Sequence, residues 1–398
     1  MRGDAAVNGP PIFITGLGVV SAVGSSCADT LAGFRMGRRR AGPATVLETS
    51  IAKPVFEVAE LRADGTNAEM RTLRLAYLAV DEALADAQFE NGRGAGMRIG
   101  VCLGTTVASQ LNDLEFYRSF RKDGQAPPDA VDRYLRANLS AAVAQRHGFA
   151  GPATTVVNAC SSGTDAIGIA LGWLREGLCD AALAGGADEL SRIPMDGFNA
   201  LGIMSDAPCA PFDRERRGLN LGEGAGILFM ETAAAAERRG AATPLTCEGY
   251  GTCGDAYHLT APREDGSGIE AAMRQALRAA GLEPKDIAFV NAHGTATPTN
   301  DAVEGAALAR VFGGNCLVSA TKGYTGHTLG AAGGVEAVFT ALGLREGWIP
   351  ASAGFAQRDP AVLLAPVAQA TPVKRTHAMS TSLAFGGNNS ALIFGGGA

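Results

Sequence analysis

Residues 153–177 read ATTVVNACSSGTDAIGIALGWLREG, and this stretch carries both the fold class and the first candidate for chemistry. Residues 153–159 are short, β-rich and apolar enough to predict a strand. The chain then turns through Cys160, Ser161, Ser162 and Gly163. Ile167, Leu171 and Leu174 follow at helical spacing, and Gly177 is placed to end that helix. A strand feeding directly into a helix is the unit from which α/β proteins are built.

The same grammar extends in both directions. Residues 12–15 predict a strand opening into a glycine-rich turn, GLGVVSAVG. Residues 68–88 carry a helical apolar period (Leu73, Ala76, Tyr77, Val80, Leu84), and 98–103 read as a short buried strand followed by GTT. Residues 140–145 read as a helix that 148–152 breaks. Further on, 269–280 predict a helix stopped by Gly281, and 287–292 a strand followed by HGTAT. Residues 317–320 predict another strand, then a loop with Lys322 and His327, then a helix over 329–344. A strand ending in a Gly-Thr turn thus occurs twice, at VCLGTT and VNAHGTAT, which reads as a faint internal duplication. The expected organisation is a flexible leader at 1–11 and two α/β halves, 12–247 and 248–398. The first half carries Cys160 and the second both histidines. No Pro/Ser-rich linker separates them, so one compact unit is expected.

Composition bounds the rest. The 398 residues are 46% hydrophobic and 19% charged, a globular balance with room for a sizeable core. A net charge of −6 argues against a nucleic-acid binder. Bunched arginines (Arg38, Arg39 and Arg40; Arg71 and Arg74; Arg118 and Arg121 with Lys122) read as solvated faces or as a dock for an acidic protein. The 8 cysteines contain no C-x-x-C pair or zinc-finger array, which points to a reducing compartment without structural disulfides. The N-terminal MRGDAAVNGPP lacks an apolar signal region, and no run long enough to span a membrane exists. A cytoplasmic protein is expected.

Several residues could carry chemistry. Cys160 stands at a strand-to-helix junction, where unpaired N–H groups and the helix dipole favour thiolate; the competing reading is a buried, inert thiol. His293 and His327 both sit in glycine-rich loops after strands, where α/β proteins collect functional residues. The helix start beside His327 would disfavour its protonation, and a neutral imidazole is what a hydrogen-bond donor to an enolate, or a proton acceptor, needs. Lys322 and Glu336 would form a partly buried ion pair if both point inward, and would otherwise be solvated. In SLAFGGNNSALIF, Phe385 belongs to the core or to a pocket. The Gly386-Gly387 turn offers free N–H groups suited to an oxyanion site. The opening GLGVVSAVG is no dinucleotide fingerprint, because Ser21 stands where the third glycine belongs.

Taken together and in order, NACSSG, NAHGTATP, TKGYTGHTLGAAG and AFGGNN resemble the elongating β-ketoacyl-acyl-carrier-protein synthases, Cys-His-His condensing enzymes of the thiolase superfamily. TGLGVVSAVG, PFDRERRGLNLGEGAG and GDAYHLTAPREDG add to the likeness, which runs from about Ile12 to Phe394. The resemblance implies the thiolase fold, duplicated halves in an α-β-α-β-α sandwich, usually dimeric. It implies decarboxylative condensation of an acyl chain on Cys160 with a malonyl extender. His293 and His327 would stabilise the enolate, and the N–H groups of Cys160 and Phe385 would form the oxyanion hole. Lys322, Glu336 and Asp301 would hold the histidine loops, Thr295 and Thr297 would contact the pantetheine arm, and Phe385 would be the gate. Val107 corresponds to a position that limits chain length. No cofactor is implied beyond the phosphopantetheine of acyl carrier protein, and the partner is that carrier, with an identical or a chain-length-factor-like subunit.

Leu383 stands where many fatty-acid enzymes have phenylalanine, Asn388 where threonine is usual, and Met204 where an arginine often docks the carrier. These departures resemble synthases of aryl-polyene and type II polyketide clusters at least as much as the housekeeping enzyme. A chain-length factor would lack the cysteine, an acyl-CoA-dependent initiator would carry Cys-His-Asn, and a thiolase would use a second cysteine. A cysteine hydrolase would release free acid.

Overall fold

The computed structural model describes residues 9–61, 70–89, 96–106, 113–126, 128–129, 138–314, 316–374 and 376–396. Five strands of the first half are β1 (Ile12–Ser21), β2 (Ile99–Gly104), β3 (Ala153–Val156), β4 (Ala181–Asp188) and β5 (Gly224–Thr232). Five of the second half are β6 (Leu245–Gly254), β7 (Ile287–Asn291), β8 (Leu317–Ser319), β9 (His377–Ala384) and β10 (Asn388–Gly396). Among the described residues these make one sheet in the order β8-β7-β9-β10-β6-β1-β5-β4-β2-β3. Counted from its outer edge, each half runs third, second, fourth, fifth, first strand, with the same parallel and antiparallel pairs. The duplication faintly visible in two Gly-Thr turns is therefore a repeat of whole topology. The halves join where Ile12, Phe13 and Ile14 pair antiparallel with Cys247, Thr246 and Leu245. The expected division at residue 247 thus falls inside β6.

Helices complete the layers. Outside the first half lie α1 (Arg71–Asp86), on β1 and β5, and α2 (Leu139–His147), on β2 and β3. Between the halves lie α3 (Ser162–Arg175) and α6 (Ala332–Glu346), each touching strands of both halves and each other. Outside the second half, α4 (Ser267–Ala280) packs on β6 and β10 with α5 (Pro298–Phe312) against it. Each helix layer has its own apolar core: Leu171, Leu174, Val335 and Val338 in the middle, Leu75, Val80 and Val101 on one side, and Ile269, Met273 and Leu308 on the other. Burial of each such side chain stabilises by about 1.5–3 kcal/mol. A helix buried on all faces must be apolar all round, as in the AGGVEAVFTALG of α6, where Glu336 is the sole ionisable group.

One element departs from the sequence reading. GLGVVS is not a turn but the continuation of β1, and the reversal comes only at Ser21–Gly24. The glycines serve close packing: a Cβ on Gly16 would lie 2.0 Å from the Ala83 carbonyl oxygen, and one on Gly18 1.9 Å from that of Ala79. Helix α1 therefore lies almost against the strand backbone, which no side chain at those positions would permit.

Candidate active site

Strand β3 ends at Val156 and α3 begins at Ser162, so Cys160 projects from a tight link between the middle-layer helix and the sheet. Ala159, just before it, holds φ at 51°, a left-handed conformation that L-residues avoid. Ser162 locks that conformation: its Oγ donates to the Ala159 carbonyl (2.6 Å) and accepts from the Asn158 N–H (2.7 Å). Such strain is retained where geometry matters. Cys160 is buried, and burial pushes its thiol up to about 11. The Phe385 N–H directed at the sulfur and the Lys322 charge pull the other way, while Asp188 and Glu336 add to the rise. The expectation of a resting thiolate is thus corrected, since desolvation outweighs the helix start and the group is a thiol at neutral pH.

His293 follows β7, and His327 lies between α6 and a one-turn helix, Lys322–Thr325, that follows β8, so Lys322 sits on a helix rather than in the expected loop. The topology brings the two histidines together, with ring centroids 5.1 Å apart and planes at 86°. Both are held well below the usual histidine range, by burial first and by the Lys322 cation second. Both are neutral; for His327, where a helix start was expected to disfavour protonation, the cause is desolvation instead. Lys322 does point inward: its Nζ donates to the His293 carbonyl at 2.7 Å, sits 3.0 Å from His293 Nδ1, and pairs with Glu336. An ammonium only donates, so Nδ1 accepts and the imidazole proton resides on Nε2. Burial pushes Glu336 up to about 7, against the pull of Lys322. The Glu336 Oε2 and His327 Nδ1 atoms have no hydrogen-bond partner among the described residues.

The His293 loop rests on two carboxylates of α5. Asp301 accepts from the N–H groups of Phe212 (2.7 Å) and Ala296 (3.1 Å), and burial pushes it up to about 7. Glu304, one turn later on the same face, accepts from the N–H groups of His293 (2.8 Å) and Gly294 (2.9 Å) and from the Thr381 hydroxyl (2.8 Å). Glu304 was not singled out from the sequence, although its i+3 spacing from Asp301 behind the histidine motif was there to read. Thr295 and Thr297 place their hydroxyls 3.0 Å apart.

Cys160, His293, His327, Thr295, Thr297, Leu383 and Phe385 line one cavity of about 290 Å³. The Gly386-Gly387 expectation fails in one respect. The Gly386 N–H donates to the Leu259 carbonyl (2.8 Å) and that of Gly387 to Ala384 (3.1 Å), so neither is free for an oxyanion. Their left-handed φ values of 87° and 77° instead shape the turn that aims the Phe385 N–H at Cys160. The Phe385 ring stacks on Phe198, at 5.2 Å between centroids, and Phe198, Leu201, Ile203 and Leu219 supply apolar wall that the sequence reading missed. Met204 is buried in the adjoining core and presents no docking surface. Val107 lies outside the described residues. One arginine in each of two bunches is structural: Arg39 donates to the Gly323 and Cys209 carbonyls, and Arg71 pairs with buried Glu223.

Two family models match the chain. The beta-ketoacyl synthase N-terminal domain covers residues 50–236, and the C-terminal domain covers residues 245–356. The chain belongs to the β-ketoacyl synthase family. Among curated relatives, 3-oxoacyl-[acyl-carrier-protein] synthase 2 of Staphylococcus aureus (strain COL) is 34% identical over 96% of this chain and 97% of its own. Among solved structures, the ishigamide ketosynthase/chain length factor superposes with a TM-score of 0.92 at 31% identity, covering 98% of this chain and 100% of that one. A type II polyketide ketosynthase, AntDE, solved with its acyl-carrier protein AntF and bound to the hexaketide, gives 0.89 at 26% identity, covering 98% and 99%. The layered ketosynthase architecture expected from the motifs is the one observed. Among the described residues no helix is long and apolar enough to cross a membrane.

Proposed function

We propose that this ketosynthase condenses an acyl chain held on Cys160 with a malonyl unit carried on acyl carrier protein, losing CO₂ as the carbon–carbon bond forms. The observation that carries this reading is the meeting of a buried cysteine and two neutral histidines on the wall of one cavity. In the first step Cys160 attacks the acyl thioester, and its proton passes, in balance, to the departing pantetheine sulfur. The carbonyl oxygen, negative in the transition state, lies within the N–H groups of Cys160 and Phe385. In the second step the malonyl carboxylate leaves as CO₂, and its bonding pair becomes the enolate. His293, through Nε2–H, and His327 donate to the enolate oxygen. The enolate carbon then attacks the acyl carbonyl and Cys160 leaves as the thiolate, which takes up one proton from solvent to return to the resting thiol. Decarboxylation generates the carbanion without a strong base, so the chemistry calls for donors rather than a metal or a redox group, and phosphopantetheine serves only as the carrier.

Lys322 fixes the His293 tautomer, and Glu336, Asp301 and Glu304 hold the surrounding loops. Thr295 and Thr297 face the pantetheine arm, Phe385 gates the cavity, and Val107 bears on chain length. The partner is acyl carrier protein, and the dimer is with a second copy or with a chain-length-factor-like subunit, as in the ishigamide pair. The cell compartment proposed is the cytoplasm. A test separates the two steps. His293→Ala and His327→Ala are expected to retain part of the acyl transfer to Cys160 and to lose condensation by about 10²–10⁴-fold. Near wild-type condensation by either variant would refute the enolate role.

A further inference from the structure

Asp165 lies on α3 five residues after the nucleophile, almost fully buried, and takes no part in the chemistry just described. It is nevertheless the hub of a polar network around it. On one side its Oδ2 accepts from Asn158 Nδ2 (2.7 Å) and Ser161 Oγ (2.8 Å), the residues flanking Cys160. On the other its Oδ1 accepts from Tyr250 OH (2.9 Å) on β6 and from Ser390 Oγ on β10. Burial, followed by the Asp165 charge, holds the Tyr250 phenol above its ordinary range, so it keeps the proton it donates. Asn158 in turn accepts through Oδ1 from Asn388 Nδ2 at 2.7 Å. Asn388 opens β10, directly after the Phe385-Gly386-Gly387 turn.

The polarity of this chain of amides is set from one end. A carboxylate only accepts, so Asn158 must turn its NH₂ toward Asp165 and its oxygen toward Asn388, which must then donate. The result is a side-chain link from the loop that carries Cys160 to the turn that carries the Phe385 N–H. Those two groups come from different halves of the chain, and only their relative placement makes a pair of donors for one oxygen.

We propose that Asp165, Asn158 and Asn388 form a positioning relay that holds the Phe385 N–H against Cys160, spanning the two halves of the fold. The purpose assigned to it rests on the function proposed above; its existence does not. Because the Phe385 N–H stabilises a thiolate at Cys160, loosening the relay moves the reactivity of that sulfur toward higher pH. The test measures alkylation of Cys160 by iodoacetamide across pH, read on the peptide that carries it, for the wild type, Asn158→Ala, Asn388→Ala and the double variant. Each single change is expected to displace the pH–rate profile upward by about one unit, or about tenfold slower alkylation at a fixed pH below the thiol's range. The double variant is expected to go no further than the larger single, because both cut the same link. Loss of folded structure alone would expose and accelerate the thiol, the opposite sign. Unshifted profiles, or two shifts that simply add, would overturn the relay. The assay uses no carrier protein, so a failed condensation assay with displaced profiles would count against the proposed function and leave the relay standing.

Discussion

Replacing Lys322 by methionine removes one charge from the centre of the molecule and has consequences for both stability and chemistry. Lys322 and Glu336 are 1% and 3% exposed as side chains, and Lys322 is the cation that offsets the desolvation of that carboxylate. Glu336 already titrates near 7 rather than its ordinary 4.5, which amounts to on the order of 3 kcal/mol of stability lost as pH rises between those values. The sign follows from linkage: the native state keeps a proton that the unfolded chain has released, so stability falls as pH climbs through the folded pKa. Without Lys322 the folded pKa moves higher still. At pH 7 Glu336 then takes up a proton, and the several kcal/mol of an uncompensated buried charge is avoided. Between pH 7 and 9 the variant keeps losing stability, by up to about 1.4 kcal/mol per unit, where the wild type has levelled off. Urea unfolding across that range measures this. The chemical consequence is separate. His293 Nδ1 loses the donor that fixed its tautomer, so condensation is expected to fall about 10²-fold or more. Acyl transfer to Cys160, which senses Lys322 only as one of the pulls on its thiol, falls far less. A variant with the wild-type pH dependence of stability, or one in which both steps fall together, would rule out these roles for Lys322.

Two further outcomes concern the scaffold. Gly18→Ala places a Cβ 1.9 Å from the Ala79 carbonyl, forcing α1 off the sheet. A cost of about 3 kcal/mol and a Tm lower by roughly 5 °C or more are expected, whereas an unchanged Tm would mean that α1 is not seated on β1 as described. His377 Nε2 and Glu248 Oε2 lie 3.3 Å apart. The hydrogen bond to Glu248 raises His377, while burial pushes Glu248 up and is outweighed by hydrogen bonds from His377 and Thr246. The histidine contribution is present below its ordinary 6.5 and lost as pH rises through the raised value. The Glu248 contribution is present above its ordinary 4.5 and lost as pH falls through the depressed one. Each is about 1 kcal/mol, and His377→Ala is expected to flatten thermal stability on the alkaline side of pH 6.5.

Much of this was legible because chemistry and fold share the same short segments. The stretch around Cys160 announced a strand, a tight link and a helix, and the loops around His293 and His327 stood after strands, where the structure places them. What escaped depends on contacts distant in sequence. Gly16 and Gly18 look like turn residues until α1 is seen pressing on them. The Gly386 and Gly387 N–H groups look free until Leu259 and Ala384 are found accepting from them. The state of Cys160 is a competition between a helix terminus, visible locally, and desolvation, which appears only once the halves close around it. Asp165 reads as an ordinary polar residue on a helix, and its role depends on Tyr250, Ser390 and Asn388 arriving from the second half. Phe198 meets Phe385 only across the cavity.

Intact mass shows whether Cys160 carries the acyl chain. The purified protein is incubated with acyl carrier protein charged with a panel of primers, alongside Cys160→Ala, and intact mass is recorded before and after malonyl-acyl carrier protein is added. The expected result is an added acyl mass on the wild type alone, discharged by the malonyl carrier as a chain two carbons longer. An adduct that persists in Cys160→Ala, or an acyl chain released as free acid rather than extended, would contradict it.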